Sequence, residues 1–141
     1  MEGSRISIVV IESSEIVRER IIGLISRLGN VEVMGADTGI KGLTLCLGRP
    51  VNAVVVGLET PDINGMKLLQ QLRVAQPAAR IIALTNCAFK GILQLSLECG
   101  ADFCFDKMAE FQSAIDSCKE LADQRSNEPP AEPIFIGGGD S

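Results

Sequence analysis

Val54-Val55-Val56-Gly57-Leu58-Glu59-Thr60-Pro61-Asp62-Ile63-Asn64-Gly65-Met66 is the stretch on which the fold turns. Ala53–Val56 is apolar at every position, the pattern of a strand buried on both faces of a parallel sheet. Thr60-Pro61-Asp62 and Asn64-Gly65 mark a loop. Met66, Leu69, Leu72 and Arg73 then begin a helix that runs to Pro77. Strand, loop and helix in that order make one β-α unit.

The same unit recurs on both sides. Upstream, Ile6–Ile11 is a continuous, largely β-branched run, followed by a helix from about Ser14, a good capping residue. Val17, Ile21, Leu24 and Leu28 return at helical spacing, and Gly29-Asn30 ends that helix. Val31–Met34 is a short second strand, and Gly39–Leu47 a helix weakened by Gly39 and Gly42 and stopped at Arg49-Pro50. Downstream, Arg80–Leu84 is the fourth strand, and Asn86 caps a helix ending at Gly100. Asp102–Phe105 is a fifth strand; Met108, Phe111, Ile115, Cys118 and Ala122 line one face of a last amphipathic helix. Five β-α units predict a doubly wound α/β domain, a parallel sheet with helices on both faces.

The domain is expected to span residues 1–123. From 124 to 141 the composition turns to Pro, Gly, Glu and Asn, which predicts a disordered tail. Within it, Pro133-Ile134-Phe135-Ile136 is an apolar segment able to add a strand to a sheet edge, although a frayed end is the simpler reading.

Bulk properties narrow the function. The net charge is −5 with no Lys/Arg-rich block, which argues against nucleic acid and anionic membranes as partners. Ile6–Ile11 is too short to cross a bilayer and its flanks make a poor signal peptide, so a cytoplasmic location is expected. The chain has no His, the commonest zinc ligand and neutral-pH base, so most hydrolase chemistries fall away and no enzyme or cofactor is expected. Its five cysteines form no Cys-x-x-Cys and sit in apolar stretches, as in a reducing compartment.

Ligands of an open α/β sheet sit beyond the carboxyl ends of the strands. Those ends carry Glu12-Ser13, Gly57, Thr85 and Lys107. Here the chain resembles the receiver domains of bacterial two-component response regulators. Val9–Glu19 is similar to their first strand and helix, and Val54–Met66 to the strand and loop of the phosphoacceptor. Leu84-Thr85-Asn86 matches the end of strand four, and Gly100-Ala101-Asp102-Phe103-Cys104-Phe105-Asp106-Lys107 the strand ending in the family lysine. The resemblance covers roughly residues 5–122 and implies a flavodoxin-like (βα)5 fold with strand order 2-1-3-4-5.

It also implies a site. In the family two acids after strand one and an acceptor aspartate hold magnesium, and a threonine and a lysine grip the phosphoryl oxygens. Glu12 matches the first acid, Ser13 replaces the second, Gly57 replaces the acceptor, and Thr85 and Lys107 remain. Glycine offers no carboxylate, so no acyl phosphate can form at 57. Glu12 and Glu59 are only weak candidates for a metal, which needs hard oxygen ligands. With the like charges gone, a relief on the order of a few kcal/mol each, Glu12 and Lys107 are expected to pair directly. On the readout side, Cys104 replaces the family's switch aromatic and Met108 the proline after the lysine. Blander roles also fit: Thr85 as a partner of local backbone, Lys107 as a solvated strand-end lysine, Ser13 and Ser14 as helix caps.

The function expected is an atypical receiver-like module that works without phosphorylation. It would bind another signalling protein, or a second copy of itself, through the fourth helix, fifth strand and fifth helix, where Ala88, Phe89, Ile92, Leu95 and Phe103 place apolar groups. With no basic helix-turn-helix in the sequence, any effect is expected to pass through another chain. Two alternatives compete: a redox or small-ligand sensor using Cys87, Cys99 and Cys104, and a receiver phosphorylated at a substitute acid, Glu59 or Asp62.

Overall fold

The computed structural model describes residues 5–127. Its elements alternate without exception: β1 (Ile6–Ile11), α1 (Glu15–Ser26), β2 (Val31–Ala36), α2 (Gly39–Leu45), β3 (Ala53–Gly57), α3 (Gly65–Ala75), β4 (Arg80–Thr85), α4 (Lys90–Glu98), β5 (Phe103–Asp106) and α5 (Phe111–Asn127). All strand pairs are parallel, in the order β2-β1-β3-β4-β5.

The alternation of side chains along each strand divides the core in two. Ile6, Ile8, Val10, Val55, Ile82 and Leu84 face α1 and α5, where Ile21, Ile25, Ile115 and Cys118 meet them. Their neighbours Val9, Ile11, Val54, Val56, Ile81 and Ala83 face the other layer, against Leu68, Leu69 and Leu72 of α3. Both faces are covered, so the three central strands must be apolar at nearly every position.

Local chemistry sets the element ends. The Ser14 hydroxyl accepts from Val17 N and caps α1, as expected, and Asn64 does the same for α3 from Met66 N and Lys67 N. Gly42 weakens α2 as a helix former but earns its place by packing: a Cβ there would collide with the Ile11 side chain, so the glycine lets α2 lie close on β1.

Several expectations are corrected. Strand β2 continues to Ala36, and β5 lies one residue later than expected, at Phe103–Asp106. Helix α4 starts at Lys90 after Phe89, without a side-chain cap, and Asn86 is not its cap. The backbone N–H of Asn86 donates to Glu59 Oε1, and residues 86–88 precede the helix. Helix α5 runs through Asn127, and its Leu121 and Ala122 pack against the core. The Pro133–Ile136 segment lies outside the described residues.

Candidate functional site

The parallel register brings the strand ends into one cluster. Gly57 is the last residue of β3 and pairs with Leu84, next to Thr85 at the end of β4. The backbone of Lys107 donates to Thr85 O at 2.8 Å, which draws the residue after β5 to the same level. Glu12 follows β1, its amide bonded to Ala36 O.

Glu12 is the centre of the arrangement. It is 1% exposed. Its Oε2 accepts from Ser14 N at 2.9 Å, and its Oε1 lies 3.0 Å from Lys107 Nζ. Oε1 has no hydrogen bond of good geometry, so the ammonium serves it by charge. The lysine side chain is 10% exposed, so this is a buried ion pair rather than a solvated strand-end lysine. Glu12 points where a side chain at 57 would go: a Cβ on Gly57 would lie 2.5 Å from Glu12 Oε1 and 3.6 Å from Lys107 Nζ. The extra methylene at 12 and the missing side chain at 57 therefore fill one volume between them.

Glu59 closes the outer rim. Its Oε2 accepts from the Thr85 hydroxyl at 2.6 Å, and its Oε1 accepts from Asn86 N at 3.3 Å and lies 3.9 Å from Lys107 Nζ. Thr85 Oγ1 in turn accepts from Cys87 N at 3.0 Å. Thr85 thus serves local backbone, as the bland reading had it, and also holds a carboxylate 26 positions away in sequence. Ser13 is no cap: its hydroxyl makes a long 3.5 Å contact with Glu59 O.

The loop that carries Lys107 is stiffened by side chains where the family has a proline. Asp106 Oδ1 accepts from Met108 N and Ala109 N at 2.9 and 2.8 Å, and Glu110 Oε1 accepts from Asp106 N at 2.9 Å. Met108 itself projects into solvent.

The donor set does not fit magnesium. One oxygen of Glu12 is taken by a backbone amide and the other by an ammonium, Ser13 turns to Glu59 O, Gly57 supplies only backbone, and both Glu59 oxygens are engaged. Among the described residues no group of three or more Cys, Asp or Glu is arranged to hold a metal. Asp62 is spent elsewhere: its two oxygens accept from Gly39 N and Ile40 N at 2.9 Å, and these bonds, that from Ile40 first, hold its carboxyl below the usual range. As for the thiols, burial raises that of Cys104 and keeps it protonated, the opposite of a reactive thiolate. Cys99 is half-buried against the core, and Cys87 is exposed.

The α4–β5–α5 side carries exposed apolar groups: Phe89 (62%), Leu95 (42%), Leu97 (49%), Phe103 (38%) and Met108 (83%). Phe103 stacks on Phe105 with ring centroids 5.8 Å apart, and the Arg80 guanidinium lies 5.7 Å from its centre. Ile92, in the same region, packs partly against the core.

A doubly wound sheet of this strand order, with an acid, a hydroxyl and a lysine gathered at the strand ends, defines a receiver-type signalling fold. The family model for the response regulator receiver domain matches residues 8–119, and the chain belongs to that family. Among curated proteins it is 27% identical over 121 residues to a Probable transcriptional regulatory protein of Picosynechococcus sp., covering 81% of this chain and 48% of that one. It is also 27% identical over 127 residues to the Probable transcriptional regulatory protein SgaR of Hyphomicrobium methylovorum, covering 89% and 60%. The chain thus spans about half to three fifths of these relatives. In fold it is similar to a CheY-like receiver domain protein of Methanospirillum hungatei (TM-score 0.77, 22% identity, 89% and 99% coverage). The receiver domain of the Francisella response regulator 1452 is another such likeness (TM-score 0.76, 18% identity, 85% and 98% coverage). Among the described residues no helix is long and apolar enough to cross a membrane.

Sequence reasoning missed Asn86 N, Asp106 and Glu110, and saw Glu59 as a weak metal candidate or a substitute acceptor rather than as the partner of Thr85. Asp106 and Glu110 brace the turn between β5 and α5, and their spacing of four is not the three of a capping box, so no standard motif marked them in the sequence.

Proposed function

We propose that this chain is a receiver-like signalling module that works without phosphorylation and acts by protein–protein contact through the α4–β5–α5 side. The observation that carries this reading is the seat of Glu12: its carboxylate fills the space beside Gly57 and is paired with Lys107. An acceptor side chain is lacking there, the lysine that would meet a phosphoryl group is already engaged, and Thr85 is bonded to Glu59. The site is at rest without an added charge. Exposed Phe89, Leu95 and Met108 then supply an apolar surface of constant shape for a signalling partner, or for a second copy of the chain.

Two measurements test this. Incubation with a small-molecule phosphodonor and magnesium should leave the intact mass unchanged; a phosphoryl adduct at Glu59 or Asp62 would overturn phosphorylation independence. The paired substitutions Phe89→Ser and Leu95→Ser should abolish partner capture or self-association while leaving the melting temperature near that of the parent. Association unchanged by both would overturn the assignment of this face.

A further inference from the structure

We infer that Glu59 is a built-in anionic ligand: its carboxylate clamps Thr85 and the Asn86 amide and so fixes the loop that presents Phe89 at the start of α4. The clamp deepens the reading of a phosphate-independent module, and its consequence for partner binding rests on that reading.

Three donors on two different elements converge on this one side chain. The Thr85 hydroxyl donates at 2.6 Å, the Asn86 amide at 3.3 Å, and the Lys107 ammonium lies at 3.9 Å. A hydroxyl has a single proton, and that of Thr85 is committed to Glu59. Its oxygen is therefore oriented to accept from Cys87 N at 3.0 Å. Cys87 O in turn accepts from Phe89 N at 3.0 Å. The order imposed by the carboxylate thus runs through consecutive contacts to Phe89, the residue that opens α4 without a capping side chain and stands 62% exposed.

The division of labour between the two glutamates gives the clamp its meaning. Glu12 is the closer and more deeply buried partner of Lys107, at 3.0 against 3.9 Å. Glu59 is 40% exposed in its side chain and satisfies the neutral donors, the hydroxyl and the amide. A buried pair sets the resting charge; an outer carboxylate sets the loop.

The test is amide hydrogen exchange of the full chain, read residue by residue in the parent and in Glu59→Ala, Glu59→Gln, Thr85→Val and Thr85→Ser. In Glu59→Ala the Asn86 and Cys87 amides should exchange about tenfold faster, the effect of losing one charge-assisted bond from a local opening equilibrium. Glu59→Gln, which keeps an acceptor but no charge, should fall between. Thr85→Val should release Cys87, and Thr85→Ser should restore its protection. The Leu58 and Lys107 amides, whose acceptors are backbone carbonyls of β4, should hold steady and report an intact fold. Unchanged exchange at 86 and 87 in both Glu59→Ala and Thr85→Val would overturn the clamp. Neither phosphodonor nor partner enters this measurement, so its failure is distinguishable from failure of the proposed function.

Discussion

Placing a methyl group at position 57 asks whether Glu12 and Gly57 share one volume. In Gly57→Ala the new Cβ begins 2.5 Å from Glu12 Oε1, too close for any carbon–oxygen contact, so the carboxylate must give way. Glu12 is enclosed, and the expected accommodation is a lengthening of its contact with Lys107. From the observed 3.0 Å, withdrawal by about 1 Å at an effective dielectric of about 20 forfeits about 1.4 kcal/mol of attraction. Overpacking strain adds roughly 1–3 kcal/mol, while the stiffer unfolded chain returns about 0.4–1 kcal/mol. The net expectation is a loss of roughly 1.5–4 kcal/mol, measured as a fall in the urea midpoint at constant slope. The decisive variant is Glu12→Asp on the same background. Shortening residue 12 by one methylene withdraws the oxygen from the new methyl group, so Glu12→Asp/Gly57→Ala should be more stable than the two single losses summed, by about 1 kcal/mol or more. If the two effects add to within about 0.5 kcal/mol, the limit for independent sites, the two residues do not share that volume and the reasoning is wrong.

Two further outcomes follow from groups already described. Lys107→Met leaves Glu12 buried without its cation and should cost roughly 3–5 kcal/mol, whereas Glu12→Gln/Lys107→Met, which removes both charges, should recover a large part of it; chemical denaturation of the three proteins decides. Burial pushes the thiols of Cys46 and Cys118 up to about 11 and about 12. Above the unfolded thiol value near 9, the unfolded chain loses protons that the folded chain keeps, so stability present at neutral pH should fall as pH rises from about 9 towards those values. The slope is about 1.4 kcal/mol per thiol and pH unit, and Cys46→Ala and Cys118→Ala should each flatten it.

The elements were legible because burial on both faces of the sheet leaves its strands few polar options. Runs such as Val54-Val55-Val56 and Ile81-Ile82-Ala83 cannot be hidden in any other way. The order of strands was not legible from pattern: it entered with the family resemblance, and the parallel pairings confirm it. Boundaries were less legible: Asn86 has the side chain of a cap, yet α4 begins only at Lys90, after a tight Cys87–Phe89 turn that no spacing in the sequence marks. The Glu12–Lys107 pair was legible from a count of charges, because one surviving acid and one lysine in a closed cluster have little choice. Glu59 was harder, since its bond to Thr85 depends on how two loops approach and not on spacing within either.

The departures at 12, 13 and 57, and the placement of Glu59, make better physical sense together than singly. A glycine alone at 57 would leave a gap beside a buried lysine; a glutamate alone at 12 would collide with whatever stood there. Combined, they form a filled and paired interior. Ser13 adds no charge, so Lys107 faces one near carboxylate rather than a cluster demanding a metal ion. The hydroxyl of Thr85 would then lack an anion, and Glu59 supplies one from just beyond the strand that ends in Gly57. On the proposed reading, the groups that would wait for magnesium or phosphate in a responsive receiver are engaged within the chain, Glu12 with Lys107 and Thr85 with Glu59. An arrangement that is already paired gains less from an added phosphoryl group.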